Sequence, residues 1–183
     1  MARRQLLHDA LRFAVEAHDG QARDGDYPLP YATHPVEVVA NLRYVGNVVD
    51  EDILCAGFLH DVLEETSATE EEIERLFGKR VRELVVSVRR EEPSTKQVAG
   101  LDKDGIYALR SRMLLDEIAA MSPESQTIKL ADRLSNVVGV HATREGRKLK
   151  RYIEQTENLL RIIPRKVNPA LWDAVKEEAA KEL

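Results

Sequence analysis

Ala56-Gly57-Phe58-Leu59-His60-Asp61-Val62-Leu63-Glu64-Glu65 is an apolar run that closes on a His-Asp pair and two carboxylates. A helix built from such a run is buried, and buried ionisable groups cost free energy unless they are paired or hold an ion. An imidazole beside a carboxylate offers one nitrogen and one oxygen ligand to the same cation. Neighbouring residues stand about 100° apart around a helix, so the two reach one ion only where a helix end faces it. Glu64 follows His60 by four residues and Asp61 by three, and Glu65 follows Asp61 by four, so carboxylates lie on the faces beside any ion held there.

Two residues do not hold a catalytic divalent ion. Thr33-His34-Pro35 and Leu130-Ala131-Asp132-Arg133 are the candidates for the rest. The set His34, His60, Asp61 and Asp132 combines two imidazoles with two carboxylates. That mixture suits a borderline-to-hard ion such as manganese, iron or zinc. All-oxygen sites suit magnesium or calcium, and thiolate sites suit structural zinc.

Composition sets outer bounds. The 183 residues fit one domain over positions 1–183, with a core over about 3–164 and a terminal helix over 165–183. Hydrophobic residues are 43% and charged residues 32%, as in soluble globular proteins. A formal net charge of −5 argues against a general nucleic-acid or membrane-surface binder, which needs a basic field. A small anionic ligand stays compatible, because a local set of arginines and a metal opposes the global sign. Cys55, the only cysteine, reads as a small buried hydrophobe. No stretch approaches a membrane span, and Met1-Ala2-Arg3-Arg4-Gln5 leads into no apolar signal core, so the cytoplasm is expected. A homodimer is an open option.

Outward from the central stretch, helical spacing dominates and β-type alternation is scarce. Leu7, Ala10, Leu11, Ala14, Val15 and His18 fall on one stripe, which predicts a helix over about 3–19 closed by Gly20. Residues 21–31 hold glycines and prolines and read as a loop. Pro35 suits a first helical position, so a second helix is expected over about 35–45, with His34 at its cap. A third is expected from near Asp50 to about Glu65. Thr69-Glu70-Glu71-Glu72 is a capping box for a fourth, ended by Gly78. A fifth covers about 79–90, with Val81, Leu84, Val85 and Val88 inward. Residues 91–103 read as a polar loop, of the kind that forms lids. Asp104 is expected to cap a sixth helix over about 105–120, and Ser122-Pro123 to start a seventh containing Ile128, Leu130, Ala131, Leu134 and Val138. An eighth follows Gly146 and ends before Pro164, and a last one runs from Pro169 into a frayed polar tail. The expected fold is all-α, a compact bundle of eight to nine helices.

Two other histidines on the first helix read differently. His8 and His18 lie ten residues apart, one expected at the surface and one packed near the site or in the core. His141 reads as surface or packing.

Longer matches carry a family resemblance. Ala17-His18-Asp19-Gly20-Gln21-Ala22-Arg23 and Pro30-Tyr31-Ala32-Thr33-His34-Pro35 resemble His-x-x-Gln-x-Arg and Pro-Tyr-x-x-His-Pro motifs. Leu59-His60-Asp61-Val62-Leu63-Glu64-Glu65-Thr66 resembles Leu-His-Asp-x-x-Glu-Asp-Thr, and Phe77-Gly78 and Lys129-Leu130-Ala131-Asp132-Arg133-Leu134-x-Asn136 match as well. Over about residues 10–140 the chain resembles the HD superfamily of metal-dependent phosphohydrolases, in particular the hydrolase domain of RelA/SpoT homologues in its short stand-alone form, with no synthetase domain expected.

That resemblance implies removal of the 3′-pyrophosphate from guanosine tetra- or pentaphosphate, usually with manganese, with iron, zinc or cobalt as alternatives. The chemistry needs anionic oxygens neutralised and a water deprotonated at neutral pH, and a divalent ion serves both needs. The resemblance implies His34, His60, Asp61 and Asp132 as metal ligands, Glu64 as the base or orienter of the water, and Glu65 as its proton relay or support. It implies Arg23 and Tyr31 at the nucleotide. Asn136, one helical turn past Asp132, is placed to bond ribose or phosphate. Lys129 is read either as a substrate contact or, with Arg133, as part of an internal charge bridge. Departures concern the substrate more than the metal: Asp24 stands where the family carries Lys, Glu65 where it carries Asp, Val138-Gly139 where it carries Arg-Thr, and Arg89-Arg90-Glu91 where it often carries a Thr-Asp pair. Two other readings therefore stand beside the first, an HD hydrolase of another nucleotide or phosphate ester and a non-catalytic metal- or nucleotide-binding module.

Overall fold

The computed structural model describes residues 3–23 and 28–181, with side chains there except at positions 3, 4, 141 and 142. The expectations for Met1-Ala2, for Asp24, for the His141 side chain and for the last two residues of the tail lie outside the described residues. Among the described residues nine helices of eight or more residues and two four-residue helices follow one another, and there is no strand. One isolated antiparallel bridge, Ala22 to Pro30, closes the neck of the 21–31 loop.

The helices are α1 Arg3–Ala17, α2 Thr33–Ala40, α3 Glu51–Leu59, α4 Val62–Glu65, α5 Glu70–Phe77, α6 Lys79–Val88, α7 Thr95–Val98, α8 Lys103–Ala120, α9 Pro123–Thr143, α10 Gly146–Ile162 and α11 Pro169–Ala179. The all-α architecture agrees with the sequence expectation. α3 runs through the middle, buried along Ile53 to Leu59, and packs against α1, α2, α6 and α9. The core draws Ala10 and Ala14 from α1, Val81, Leu84, Val85 and Val88 from α6, and Ile128, Leu130, Leu134 and Val137 from α9. α11 packs on α9, and Trp172 Nε1 donates to the carbonyls of Leu160 and Ile163, which closes the end of α10. Cys55 is buried, and burial pushes its thiol up to about 12.

Several boundaries differ from the sequence reading. α2 starts two residues before Pro35, because the carbonyls of Pro30 and Tyr31 accept from Thr33 and His34 and a proline is tolerated throughout the first turn. It then widens into a π-helical segment, Asn41–Val45, whose Asn41 Nδ2 donates to the Ala131 carbonyl of α9. The expected helix from Asp50 to Glu65 is broken at His60-Asp61. Asp102, not Asp104, caps α8 by accepting from Gly105 N at 2.8 Å, and Asp104 in the first turn pairs instead with Arg147 and Arg151 of α10. The 91–103 loop contains α7, nucleated by the Ser94–Gln97 capping box.

Gly57 is where α3 meets α2. A Cβ there would stand 2.6 Å from Leu42 Cδ1 and 3.2 Å from Val39 Cγ2, both in the core. Leu42 is fully enclosed and cannot swing away. Gly57→Val is therefore expected to cost about 1–3 kcal/mol by overpacking. The urea midpoint checks this, and an unchanged midpoint would show that the α2–α3 contact is not tight.

Candidate functional site

The break in the central helix makes the site. α3 stops at Leu59, His60 is its last capping residue, and Asp61 opens α4 by accepting Glu64 N and Glu65 N at its carbonyl. The geometric condition for His60 and Asp61 to face one point is met by ending the helix between them. His34 arrives from the first turn of α2, and Asp132 from the middle of α9.

Their donor atoms converge. His60 Nε2 lies 3.2 Å from His34 Nε2, 3.1 Å from Asp61 Oδ1 and 3.8 Å from Asp132 Oδ1. His34 Nε2 lies 3.4 Å from Asp61 Oδ2 and 3.4 Å from Asp132 Oδ1. His34, His60 and Asp132 each present one atom within 4.8 Å of the other two, and Asp61 borders this trio through both oxygens.

The outer nitrogens fix both rings. His60 Nδ1 is 2.9 Å from the Gly57 carbonyl, which only accepts, so the proton sits on Nδ1. His34 Nδ1 is 3.0 Å from Ser135 Oγ, and Ser135 Oγ donates to Glu37 Oε2 at 2.6 Å, so the hydroxyl accepts from His34 and the proton again sits on Nδ1. The two Nε2 atoms, left free by these outer bonds, thus face each other between two carboxylates. Such a set repels itself unless a proton or a cation lies among the four groups, and imidazole with carboxylate is the donor chemistry of a borderline divalent ion. The residues fit a divalent metal.

Electrostatics of the metal-free protein agree. Burial lowers the proton affinity of His34, but its hydrogen bonds and charge contacts with Asp132 and Asp61 outweigh it and push the ring up to about 9. Burial acts to raise Asp61 and Asp132, yet His60, His34 and, for Asp132, above all Lys129 hold both carboxyls below the usual range. The sign for stability follows. The His34 contribution is fully present below the unfolded value of 6.5 and is lost as pH rises through about 9. The melting temperature of protein kept in chelator is therefore expected to fall between pH 6.5 and 9, as thermal scans across that range would record, and a flat profile would show that His34 takes up no proton there.

The remaining sequence-predicted residues all border the same cleft, of ≈ 780 Å³. Tyr31 donates to Asp61 Oδ2 at 2.6 Å, and burial together with the Asp61 charge raises its hydroxyl far above the usual value, so it stays a donor. Arg23 is paired with Glu37 at 2.6 Å. Lys129, buried, lies 3.6 Å from Asp132 Oδ2, and Asn136 donates to Asp132 Oδ1 at 2.6 Å. Arg133 does not pair with Asp132; it stacks on Tyr152 and bonds Gln155 and Thr156. Glu64 Oε1 accepts from Arg90 N at 2.7 Å, and burial raises its carboxyl above the usual glutamate value despite that bond. The Glu65 side chain borders the cleft near the surface, while its carbonyl is bonded by Gln21. Five cations, Arg23, Arg90, Lys129, Arg133 and Arg144, line the cleft beside five carboxylates, Glu37, Asp61, Glu64, Glu65 and Asp132, in a chain of net charge −5.

His18 and the Gln21 beside it form a brace. His18 is buried, its ring lies 4.6 Å from that of Tyr31, and its Nδ1 is 2.8 Å from Gln21 Oε1. His8 is exposed. The sequence reading did not single out Ser135, Glu37 or the Arg90 backbone. Spacing carried a signal for the first two: Ser135 is three residues past Asp132 and Glu37 three past His34, each on its ligand's helical face. Nothing in the sequence marks the Arg90 amide.

Comparison with known proteins places this geometry. The sequence pattern of the HD domain matches residues 10–159. The chain is 32% identical to the GTP pyrophosphokinase rsh of Brucella ovis over 97% of its own length, and spans 25% of that protein. It is 33% identical to the guanosine-3′,5′-bis(diphosphate) 3′-pyrophosphohydrolase MESH1 of Xenopus tropicalis, covering 72% of this chain and 68% of that one. A solved structure described as a metazoan ortholog of SpoT that hydrolyzes ppGpp superposes with a TM-score of 0.80 at 28% identity, over 94% of this chain and 93% of that one. A Listeria monocytogenes structure, lmo0812, shares the fold at a TM-score of 0.61 and 23% identity. With a helix broken at a His-Asp pair, a second histidine and a distant aspartate drawn to it, and the domain pattern running through all of them, the chain belongs to the HD domain family.

Proposed function

We propose that this chain is a manganese-dependent pyrophosphohydrolase that removes the 3′-pyrophosphate of guanosine 3′,5′-bis(diphosphate). The observation that carries the reading is the pair of facing imidazole nitrogens 3.2 Å apart, enclosed by Asp61 and Asp132 at the floor of a cation-lined cleft. The MESH1 relatives and the SpoT ortholog support the substrate. In this reading the domain acts as one unit in the cytoplasm; no helix among the described residues is long and apolar enough to cross a membrane.

His34, His60, Asp61 and Asp132 would hold the ion. A bound divalent ion supplies a Lewis acid for the phosphoryl oxygens and makes water more acidic. The chain's own residues do the rest. Tyr31 and Asn136 hold Asp61 and Asp132 by one hydrogen bond each, which keeps the carboxylate planes fixed. Glu64, its Oε1 held by the Arg90 amide, takes a proton from the attacking water, and its burial gives it a higher proton affinity than a surface glutamate. The water oxygen bonds to the phosphorus attached to the ribose 3′ oxygen, the bond between that phosphorus and the 3′ oxygen breaks, and the 3′ oxygen takes up the proton held by Glu64 or one from solvent, giving a 3′ hydroxyl and pyrophosphate. Lys129 opposes charge building up near Glu64 and Asp132. Arg23, Arg90 and Arg144 at the walls attract the polyphosphate. Glu65 would support Glu64.

A nucleotide panel at saturating manganese tests the proposal. Guanosine tetraphosphate should be hydrolysed to GDP and pyrophosphate with a higher kcat/KM than ordinary nucleotides. One observation favours a second reading: Val138, exposed, and Gly139 line the cleft, where polar side chains would be expected to grip a nucleotide. If another nucleotide or phosphate ester wins the panel, the HD chemistry stands and the guanosine assignment falls. No turnover of any phosphate ester would leave a binding module.

A further inference from the structure

We propose that Ser135 and Glu37 are positioning residues that lock the tautomer of His34 and join it to Arg23. This deepens the metal-site reading above and rests on it.

The chain of contacts is continuous. Arg23 Nη1 donates to Glu37 Oε2 at 2.6 Å, Ser135 Oγ donates to the same oxygen at 2.6 Å, and His34 Nδ1 donates to Ser135 Oγ at 3.0 Å. Ser135 and His34 are both buried at the wall of the cleft. The direction of the protons is forced. A carboxylate oxygen beside an arginine only accepts, so the serine hydroxyl must point at Glu37. Its lone pair then faces His34, and only a ring with its proton on Nδ1 satisfies it. The opposite tautomer would leave Nδ1 and Ser135 Oγ as two acceptors with no proton between them, at the cost of an unmade hydrogen bond between two buried side chains. That tautomer would also place a hydrogen on Nε2, the atom that faces His60 and must stay bare to ligate. Selection of the ligating form thus originates at Glu37, a residue that does not touch the site's centre.

Arg23 shares the oxygen that orients the serine. Whatever draws Arg23 toward the cleft alters the grip of Glu37 on Ser135, so occupancy at Arg23 and occupancy at His34 are linked, and linkage of this kind is reciprocal.

The test is the affinity of metal-stripped protein for manganese alone, measured by competition with a chromogenic chelator, with folding verified by circular dichroism. Ser135→Ala should weaken manganese binding about 10–100-fold, the usual effect of removing a partner of a ligating histidine. Ser135→Thr, which keeps the hydroxyl, should stay within about 3-fold of the unchanged protein, taking the low end of that range as the limit of a conserved contact. Glu37→Ala, at a half-exposed position where folding is safe, should weaken binding in the same direction. The Ser135→Ala/Glu37→Ala double variant should be no weaker than Ser135→Ala by itself, because both act through one hydroxyl. Unchanged affinity in folded Ser135→Ala, or independent losses that multiply in the double variant, would overturn the relay while leaving the metal site intact. An unchanged protein that takes up no manganese would overturn both.

Discussion

Glu64→Gln should lower turnover by roughly 10²–10⁴-fold while leaving manganese content unchanged, the span that a positioned acid or base contributes. Glutamine keeps the shape and can still accept the Arg90 amide at the position of Oε1, so the backbone bond that fixes the side chain survives. What disappears is the capacity to hold a proton. The four ligand candidates are untouched, since Glu64 sits on the turn after His60 and Asp61, and His34 and Asp132 come from other helices. Single-turnover hydrolysis with metal analysis on the same sample reads both quantities. The unchanged enzyme should also lose rate on acidification through a value above 4.5, because burial raises the Glu64 carboxyl, and that acid limb should vanish from the residual rate of the glutamine variant. Full activity in Glu64→Gln would transfer the role of base elsewhere in the cleft.

Asp132→Asn should be as severe by a different route. One oxygen of Asp132 faces both imidazole nitrogens and the other lies 3.6 Å from Lys129. The amide removes a negative charge from the metal's surroundings and leaves the buried lysine with less to oppose it. Manganese affinity should fall by more than about 100-fold, exceeding the effect of losing a hydrogen-bond partner of a ligand. Hydrolysis should be absent at metal concentrations that saturate the unchanged protein. Dialysis of the latter against chelator should abolish activity reversibly, with recovery on adding manganese. Equilibrium dialysis separates the cases: an Asp132→Asn protein that binds manganese normally would remove Asp132 from the ligand set.

The two variants fail differently because the site divides its tasks between elements. α9 carries Lys129, Asp132, Ser135 and Asn136 on neighbouring turns, and its rigid geometry serves the metal. The four-residue α4 carries Glu64 and Glu65 and is tied down from outside, by the Arg90 amide at Glu64 and by Gln21 at the Glu65 carbonyl. Changes on α9 should appear first in metal affinity, and changes on α4 first in turnover.

Much of this was legible before folding. The apolar run ending in His60-Asp61 announced a buried helix with chemistry at its end, the 3.6-residue periodicity dictated an all-α bundle, and the capping box at Thr69 and the start at Ser122-Pro123 stand where the sequence put them. These signals are local: capping, glycine conformation and helical spacing act within a few residues of chain. Two of the boundaries read wrongly were settled by partners from elsewhere in the chain. Asp102 and Asp104 are both adequate caps, and only the presence of Arg147 and Arg151 on α10 drew Asp104 away. The stretch from Asp50 to Glu65 has no proline, and its one glycine, Gly57, lies inside α3; the helix breaks at residue 60, where Asp61 meets His34 of α2 and Tyr31 of the preceding loop.

Residue types and their order determined the helices, the buried stripe and the list of groups able to ligate a cation. Only the tertiary structure decided which nitrogen of His34 faces the site, that Arg23 answers to Glu37, and that an unremarkable serine stands behind His34. The physical reason is that the position of the His34 proton depends on the acceptor at the far side of its ring, and that acceptor comes from another helix, 101 residues along the chain, whereas the carbonyl behind His60 is the local one of Gly57.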